Sequence, residues 1–234
     1  IMALPKLDTP IYETQLPSTN ETIKYRPFLV KEQKVLMIAQ ESNDEAQVTN
    51  AMMQLVSACT FETMHAETAP LFDIEHIFLK IRSVSVGEKV TVNITCPDDD
   101  KTMVKKEIDL KDVKCIVDDN HTNIVEITPT IKLEMTYPTI HTSQGTTNSD
   151  TETVFKMIDG CIAALHHGDI IHKRIDITKK EMTEFLEDLT VNQLELIMNF
   201  FNTMPRLRHV VEITNPKTKV KSEVLLEGLQ TFLG

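Results

Sequence analysis

Apolar positions along this chain change period several times, and each change marks a change of element. Ile11–Leu16 and Thr22–Arg26 read as two short strands around the turn cluster Pro17-Ser18-Thr19-Asn20, and Pro27 ends the second. From Glu32 the spacing becomes helical. Val35, Leu36 and Ala39 mark a first helix near 32–41. Val48, Ala51, Met52, Leu55, Val56 and Cys59 mark a second, with Asp44 as its N-cap. Ile74, Ile77, Phe78 and Ile81 share one face of a third, which opens near Pro70 and stops before Gly87. Residues 88–140 then switch to period two. Val90, Val92, Ile94 and Cys96 alternate with polar residues, as do Ile131, Leu133 and Met135, the pattern of a half-buried antiparallel sheet.

A Thr-, Ser-, Gly- and Asn-rich stretch at 141–150 reads as a linker between two parts. Beyond it, Ser149 with Glu152 fits a capping box. Val154, Phe155, Ile158, Cys161, Ile162 and Leu165 then form the apolar face of a helix expected to run to Gly168. Thr178 with Glu181, and Thr190 with Gln193, are two more capping boxes; Ile177/Met182 and Leu189/Leu194 sit in staple positions. The last of these helices ends at Met204-Pro205. A strand follows with His209, Val211 and Ile213 facing inward, then a turn at Asn215-Pro216 and a short return strand. An apolar helix over Glu223–Thr231, carrying Leu225, Leu226 and Leu229 with Phe232 just after, is expected to close the chain. Gly228 within such a helix costs roughly 1 kcal/mol relative to Ala, which points to close backbone approach by a neighbouring element or a partner. The expected fold is α+β: an N-terminal α+β domain at 1–140, the linker at 141–150, and a mainly helical C-terminal domain at 151–234.

Composition narrows the tasks open to such a fold. With 41% apolar and 25% charged residues, the 234-residue chain can bury a core without staples. Its net charge of −11 repels a phosphate backbone, and its Lys and Arg residues form no basic stripe, so nucleic acid is not an expected partner. Trp is absent and aromatics are 5%, which leaves base-stacking platforms poorly supplied. No apolar run reaches the length of a membrane span, so no membrane partner is expected. Cys59, Cys96, Cys115 and Cys161 are widely spaced and read as reduced thiols of a cytosolic protein.

Two stretches echo each other. Val92-Asn93-Ile94-Thr95-Cys96-Pro97 and Val211-Glu212-Ile213-Thr214-Asn215-Pro216 share V-x-I-T-x-P, each a strand running into a Pro-containing turn with Lys residues shortly after. Candidate chemistry is sparse. His166, His167 and His172 with Asp169 are the one ligand-like cluster, and a metal-dependent enzyme built on them is the alternative reading from another functional class. Cys161 falls on an apolar face, where a thiol is inert. Asp98-Asp99-Asp100 lacks the Gly and distal Glu of a calcium loop and reads as a solvated turn. There is no nucleophile elbow, phosphate loop or dinucleotide fingerprint, so no catalytic residue, cofactor or small-molecule substrate is assigned.

Three runs carry a family resemblance: Tyr25-Arg26-Pro27-Phe28-Leu29-Val30-Lys31-Glu32, Thr203-Met204-Pro205-Arg206-Leu207, and Leu226-Glu227-Gly228-Leu229. With them the chain resembles the baseplate hub and hub-assembly proteins of T-even-like bacteriophages. The resemblance implies a structural or assembly component of a contractile-tail baseplate hub, made in the host bacterial cytoplasm and, as a hub subunit, carried in the virion tail. It would act through contacts with other hub or tail proteins. A tail-assembly chaperone that stays out of the particle is the alternative within the same class. Hairpins of this kind in relatives can carry a Cys-Pro-x-Cys zinc knuckle. Here the four positions hold Cys96, Asp99, Asn215 and Thr218, so the pair reads as a degenerate zinc-ribbon-like hairpin without metal. The candidate partner-contact residues are Met204, Leu225, Gly228, Leu229 and Phe232.

Overall fold

The computed structural model describes residues 8–42, 44–143 and 151–228. Helices and antiparallel sheets are interspersed, an α+β fold. In order, the chain forms β1 (Tyr12–Gln15), β2 (Thr22–Tyr25), α1 (Val30–Glu41), α2 (Glu45–Cys59) and α3 (Leu71–Val86). Then come β3 (Lys89–Thr95), β4 (Met103–Asp109), β5 (Lys114–Ile116), β6 (Ile124–Thr128) and β7 (Ile131–Met135). The short helix α4 (Ile140–Ser143), α5 (Thr151–Gly160), β8 (Ile162–His167) and β9 (Ile170–Lys173) follow. A 3-10 turn at Arg174–Asp176 leads into α6 (Lys179–Glu187), α7 (Val191–Thr203), β10 (Arg206–Thr214) and β11 (Lys221–Glu227).

These elements form two compact units, one comprising residues 1–116 together with 206–234, the other Val117–Pro205. This differs from the expected 1–140 and 151–234. The physical reason is strand pairing: β10 pairs antiparallel with both β11 and β5, which draws the closing hairpin into the unit that holds the N-terminal elements. Residues 144–150 of the expected linker, and Ser149 of its capping box, lie outside the described residues.

In the first unit the β1–β2 hairpin brings Tyr12 opposite Tyr25, with their rings stacked at 5.6 Å. Leu55, Val56 and Cys59 of α2 and Ile74, Ile77, Phe78 and Ile81 of α3 are buried as the helical spacing requires; Met53 of α2 is buried where Met52 is half-buried. Asp44 caps α2 by accepting from the N–H groups of Ala46 and Gln47. Strand β3 buries Val90, Val92 and Ile94 in strict alternation.

In the second unit a four-stranded antiparallel sheet runs in the order β6-β7-β8-β9. Val125, Leu133 and Met135 of the sheet, Ile158 of α5, Met182 and Leu186 of α6, and Ile197, Phe200 and Phe201 of α7 make its core. Both expected capping boxes form. Thr178 Oγ1 accepts from Glu181 N–H at 3.3 Å, while the Glu181 carboxylate accepts from Thr178 N–H at 2.8 Å. Thr190 and Gln193 repeat this at 3.4 and 2.9 Å. The helix expected to run to Gly168 ends at Gly160 instead; 162–167 is strand β8, paired to β7 on one side and β9 on the other. The helix expected over Glu223–Thr231 is replaced, through Glu227, by strand β11.

Candidate functional site

The run from Tyr25 to Glu32 builds a polar anchor in the first unit. Arg26 Nη2 donates to Glu32 Oε1 at 3.1 Å, Nη1 donates to the Pro27 carbonyl at 2.9 Å, and the Arg26 N–H donates to the Cys59 carbonyl at 3.0 Å. Glu32 Oε2 accepts from Leu29 N–H at 2.6 Å, which caps α1. Both side chains are nearly buried, Arg26 at 12% and Glu32 at 9% exposure. Burial opposes ionisation of Glu32, but the Arg26 and Leu29 hydrogen bonds, with the charges of Arg26 and Lys31, outweigh it and hold the carboxyl below its ordinary value. Pro27 fits this place because it ends β2 and needs no donor of its own.

The two V-x-I-T-x-P stretches fold alike. The Cys96 carbonyl accepts from Asp100 N–H at 2.9 Å, and the Asn215 carbonyl accepts from Lys219 N–H at 2.9 Å. Asp100 (φ 51°) and Lys219 (φ 65°) occupy the same left-handed backbone position, four residues on in each turn. The turns are joined through Asp98. Its carboxylate accepts from Asn215 Nδ2 at 3.0 and 3.1 Å and from the Thr218 hydroxyl, and these bonds, Thr218 first, hold it below its ordinary value. Asp99 turns back on its own loop, accepting from the N–H and hydroxyl of Thr102. The expected solvated turn at 98–100 is therefore only partly so: Asp98 is a cross-link between hairpins. Sequence reasoning missed that bond, and the repeat was its signal.

Zinc does not fit these knuckles. Asn215 Oδ1 accepts from Lys217 and Thr218 N–H groups while Nδ2 is spent on Asp98, so the polar atoms at three of the four knuckle positions are engaged in hydrogen bonds. Burial and the neighbouring Asp98 and Asp99 carboxylates push the Cys96 thiol up, away from the thiolate a metal requires.

The histidine cluster is separated by strand alternation. In β8 and β9, Leu165 pairs with His172 and His166 with Ile171, so His166 lies on the face opposite His167 and His172. His166 Nε2 sits 3.2 Å from Glu134 Oε2 instead. No group of three or more His, Cys, Asp or Glu among the described residues is placed to hold a metal ion. His121, which the sequence did not single out, lies between Tyr137 and Phe200. Its Nδ1 is 2.9 Å from Thr203 Oγ1 and its Nε2 3.1 Å from Tyr137 Oη, so both ring nitrogens are engaged.

The five expected contact residues fall in different places. Met204 follows α7 in the second unit and packs on that unit's core. Leu225 lies on β11 in the first unit, 50% exposed and opposite Val210 at 57%, an apolar cross-strand pair facing outward. Gly228 ends β11 with φ +73°, its N–H donating to the Leu207 carbonyl at 3.3 Å. A Cβ there would meet Glu75 Oε1 at 3.9 Å, ordinary contact, so among the described residues no neighbouring element approaches closely, and the left-handed turn accounts for the glycine. Leu229 and Phe232 lie outside the described residues.

A family model described as T4 bacteriophage base plate protein matches residues 9–234. The chain belongs to that family. No curated protein and no solved structure gives a match. Membership in the T4 base plate family implies association with other baseplate or tail proteins. Among the described residues no helix is long and apolar enough to cross a membrane.

Proposed function

We propose that this chain is a hub or hub-assembly component of the T4-type baseplate that works through protein–protein contacts and carries no catalytic site. The observation that supports this most is the family match over 9–234, combined with the runs at 25–32, 203–207 and 226–229 that resemble hub proteins. The anchor and the turn clamp are scaffolding: their polar groups are spent on one another. Apolar side chains left outside fit contact work. Val30, Met37 and Ile38 of α1 are exposed, as is the Val210–Leu225 pair. Such contacts would form in the host cytoplasm, where the tail is assembled.

The test is affinity capture of the tagged full chain from phage-infected cells, paired with mass spectrometry of purified virions. Recovery of baseplate proteins together with presence in virions supports a hub subunit. Recovery of baseplate proteins with absence from virions supports an assembly factor. A chain absent from virions that captures no baseplate or tail protein overturns the proposal.

A further inference from the structure

Strand β9 is an open edge of the second unit's sheet. At the opposite edge, β6 is packed by α7, whereas all four residues of β9 are exposed, Ile170 at 59% and Ile171 at 58%. Exposed edge strands with apolar side chains recruit further strands. The geometry of the β8–β9 turn fixes which backbone groups are free. His167 pairs with Ile170 across the two-residue loop Gly168-Asp169, with Gly168 at φ +59° in the first position, the pattern of a type II′ turn. The residues flanking such a loop exchange hydrogen bonds. Ile170 and His172 therefore aim their N–H and C=O groups at β8, while Ile171 and Lys173 aim theirs outward and Asp169, the second turn residue, stands at the end of that edge.

We infer that a second copy of this chain pairs with β9 along its own β9, antiparallel about a two-fold axis at Ile171, to join the two four-stranded sheets into one. Outward-facing residues must pair with outward-facing residues. Of the registers that satisfy this, centring on Ile171 sets Ile171 opposite Ile171 and brings the turn residue Asp169 level with Lys173 twice. Centring on Ile170 sets Asp169 against Ile171, and centring on His172 sets Lys173 against Ile171, a charge against an isoleucine in both cases. The charge complementarity is a property of this strand. Asp169 and Lys173 make no ion pair among the described residues, and a lone edge lysine would repel a strand unless a carboxylate lay opposite. The surroundings also favour approach. In a chain of net charge −11, β9 and its turn carry one carboxylate, Asp169, against Lys173 and the imidazole of His172, while the next cation, Arg174, is paired to Asp159; two copies therefore meet here with little of the repulsion that acts elsewhere. The same residue on both sides of the axis is what an isologous interface requires.

Sedimentation equilibrium of the full chain at near-physiological salt reads the proposal directly. The expected result is a species of twice the 26.6 kDa chain mass that dissociates on dilution. Ile171→Lys sets two ammonium groups opposite each other and should weaken association at least about tenfold. Lys173→Asp should do the same, and adding Asp169→Lys to it should restore association. Circular dichroism and melting of each variant report whether the exposed-edge substitutions leave the fold intact. A monomer at all concentrations overturns the inference. So does a dimer indifferent to both Ile171→Lys and Lys173→Asp, or a β9 edge that protects its amides only when a different protein is bound.

Discussion

Replacing Arg26 by Met tests whether the Tyr25–Glu32 run is a structural anchor. The substitution keeps an unbranched side chain in place but removes the donor 3.1 Å from Glu32 Oε1 and the donor to the Pro27 carbonyl. Glu32 would remain almost buried, with Leu29 N–H at 2.6 Å as its one short donor and Lys31 Nζ at 3.4 Å from its other side. Stripping one partner from a fully interior ion pair costs about 3–5 kcal/mol. Lys31 is 74% exposed and brings some charge and solvent to this pair, so a loss of about 2–3 kcal/mol is expected. Against a domain stability of about 5–15 kcal/mol, that is readily measured by urea unfolding. Glu32→Gln alone should cost about 2 kcal/mol, and the double variant clearly less than the sum, because each single change strands the other partner. The pH dependence supplies a second reading. Glu32 is held below its ordinary value of 4.5, so its stabilisation is present above that pH and lost as pH falls through its lower folded value. The gap between wild type and Arg26→Met should therefore shrink in acid. A loss under about 1 kcal/mol, or strictly additive single changes, would refute the anchor.

Three further outcomes follow from the same structure. Asn215→Ala removes the two Nδ2 hydrogen bonds to Asp98, leaving it the Thr218 hydroxyl, and the acceptor for the Lys217 and Thr218 N–H groups at a 1% exposed position, and should cost about 1–3 kcal/mol by thermal or urea unfolding. Gly228→Ala places a side chain at φ +73° with room around it, so backbone strain alone should cost about 1–2 kcal/mol; a neutral or stabilised variant would contradict that. Burial pushes the Cys59 thiol up to about 11 and holds neutral His76 down to about 4, so stability should decline as pH rises beyond the ordinary thiol value of 9.0 and as it falls from 6.5 toward 4. Titrating the unfolding free energy with pH checks both limbs.

What was legible in the sequence was local. Both capping boxes in the second unit form because Thr178 with Glu181, and Thr190 with Gln193, can satisfy one another whatever lies around them. The alternation in β3, and at His209, Val211 and Ile213 of β10, was readable because each strand buries one face. The errors came where distant pairing decided. Ile158, Cys161, Ile162 and Leu165 continue a helical period without a break, yet β7 takes 162–167 into its sheet. Val224, Leu225 and Leu226 are a run too short to distinguish helix from strand, and β10 settles it. Of the candidate site, the repeat was visible and its cross-link was not, because the Asp98–Asn215 bond spans 117 residues.

Several side chains in the three runs that resemble hub proteins are spent on the scaffold. Arg26 and Glu32 are spent on each other, Leu207 is buried and accepts from Gly228, and Gly228 holds a turn. These positions specify a fold, and groups so fully engaged have no valence left for a partner. Exposed apolar side chains lie at Val210 with Leu225, on α1 from Val30 within the first run to Ile38, and at Ile170 and Ile171 of β9. On the proposed function the scaffold is satisfied from within and the contact surfaces are left open, because a buried group already paired gains nothing on docking whereas an exposed apolar one does. Substitutions in the anchor or clamp should accordingly reduce assembly only as far as they reduce stability, while those on the open surfaces should reduce assembly at unchanged melting temperature.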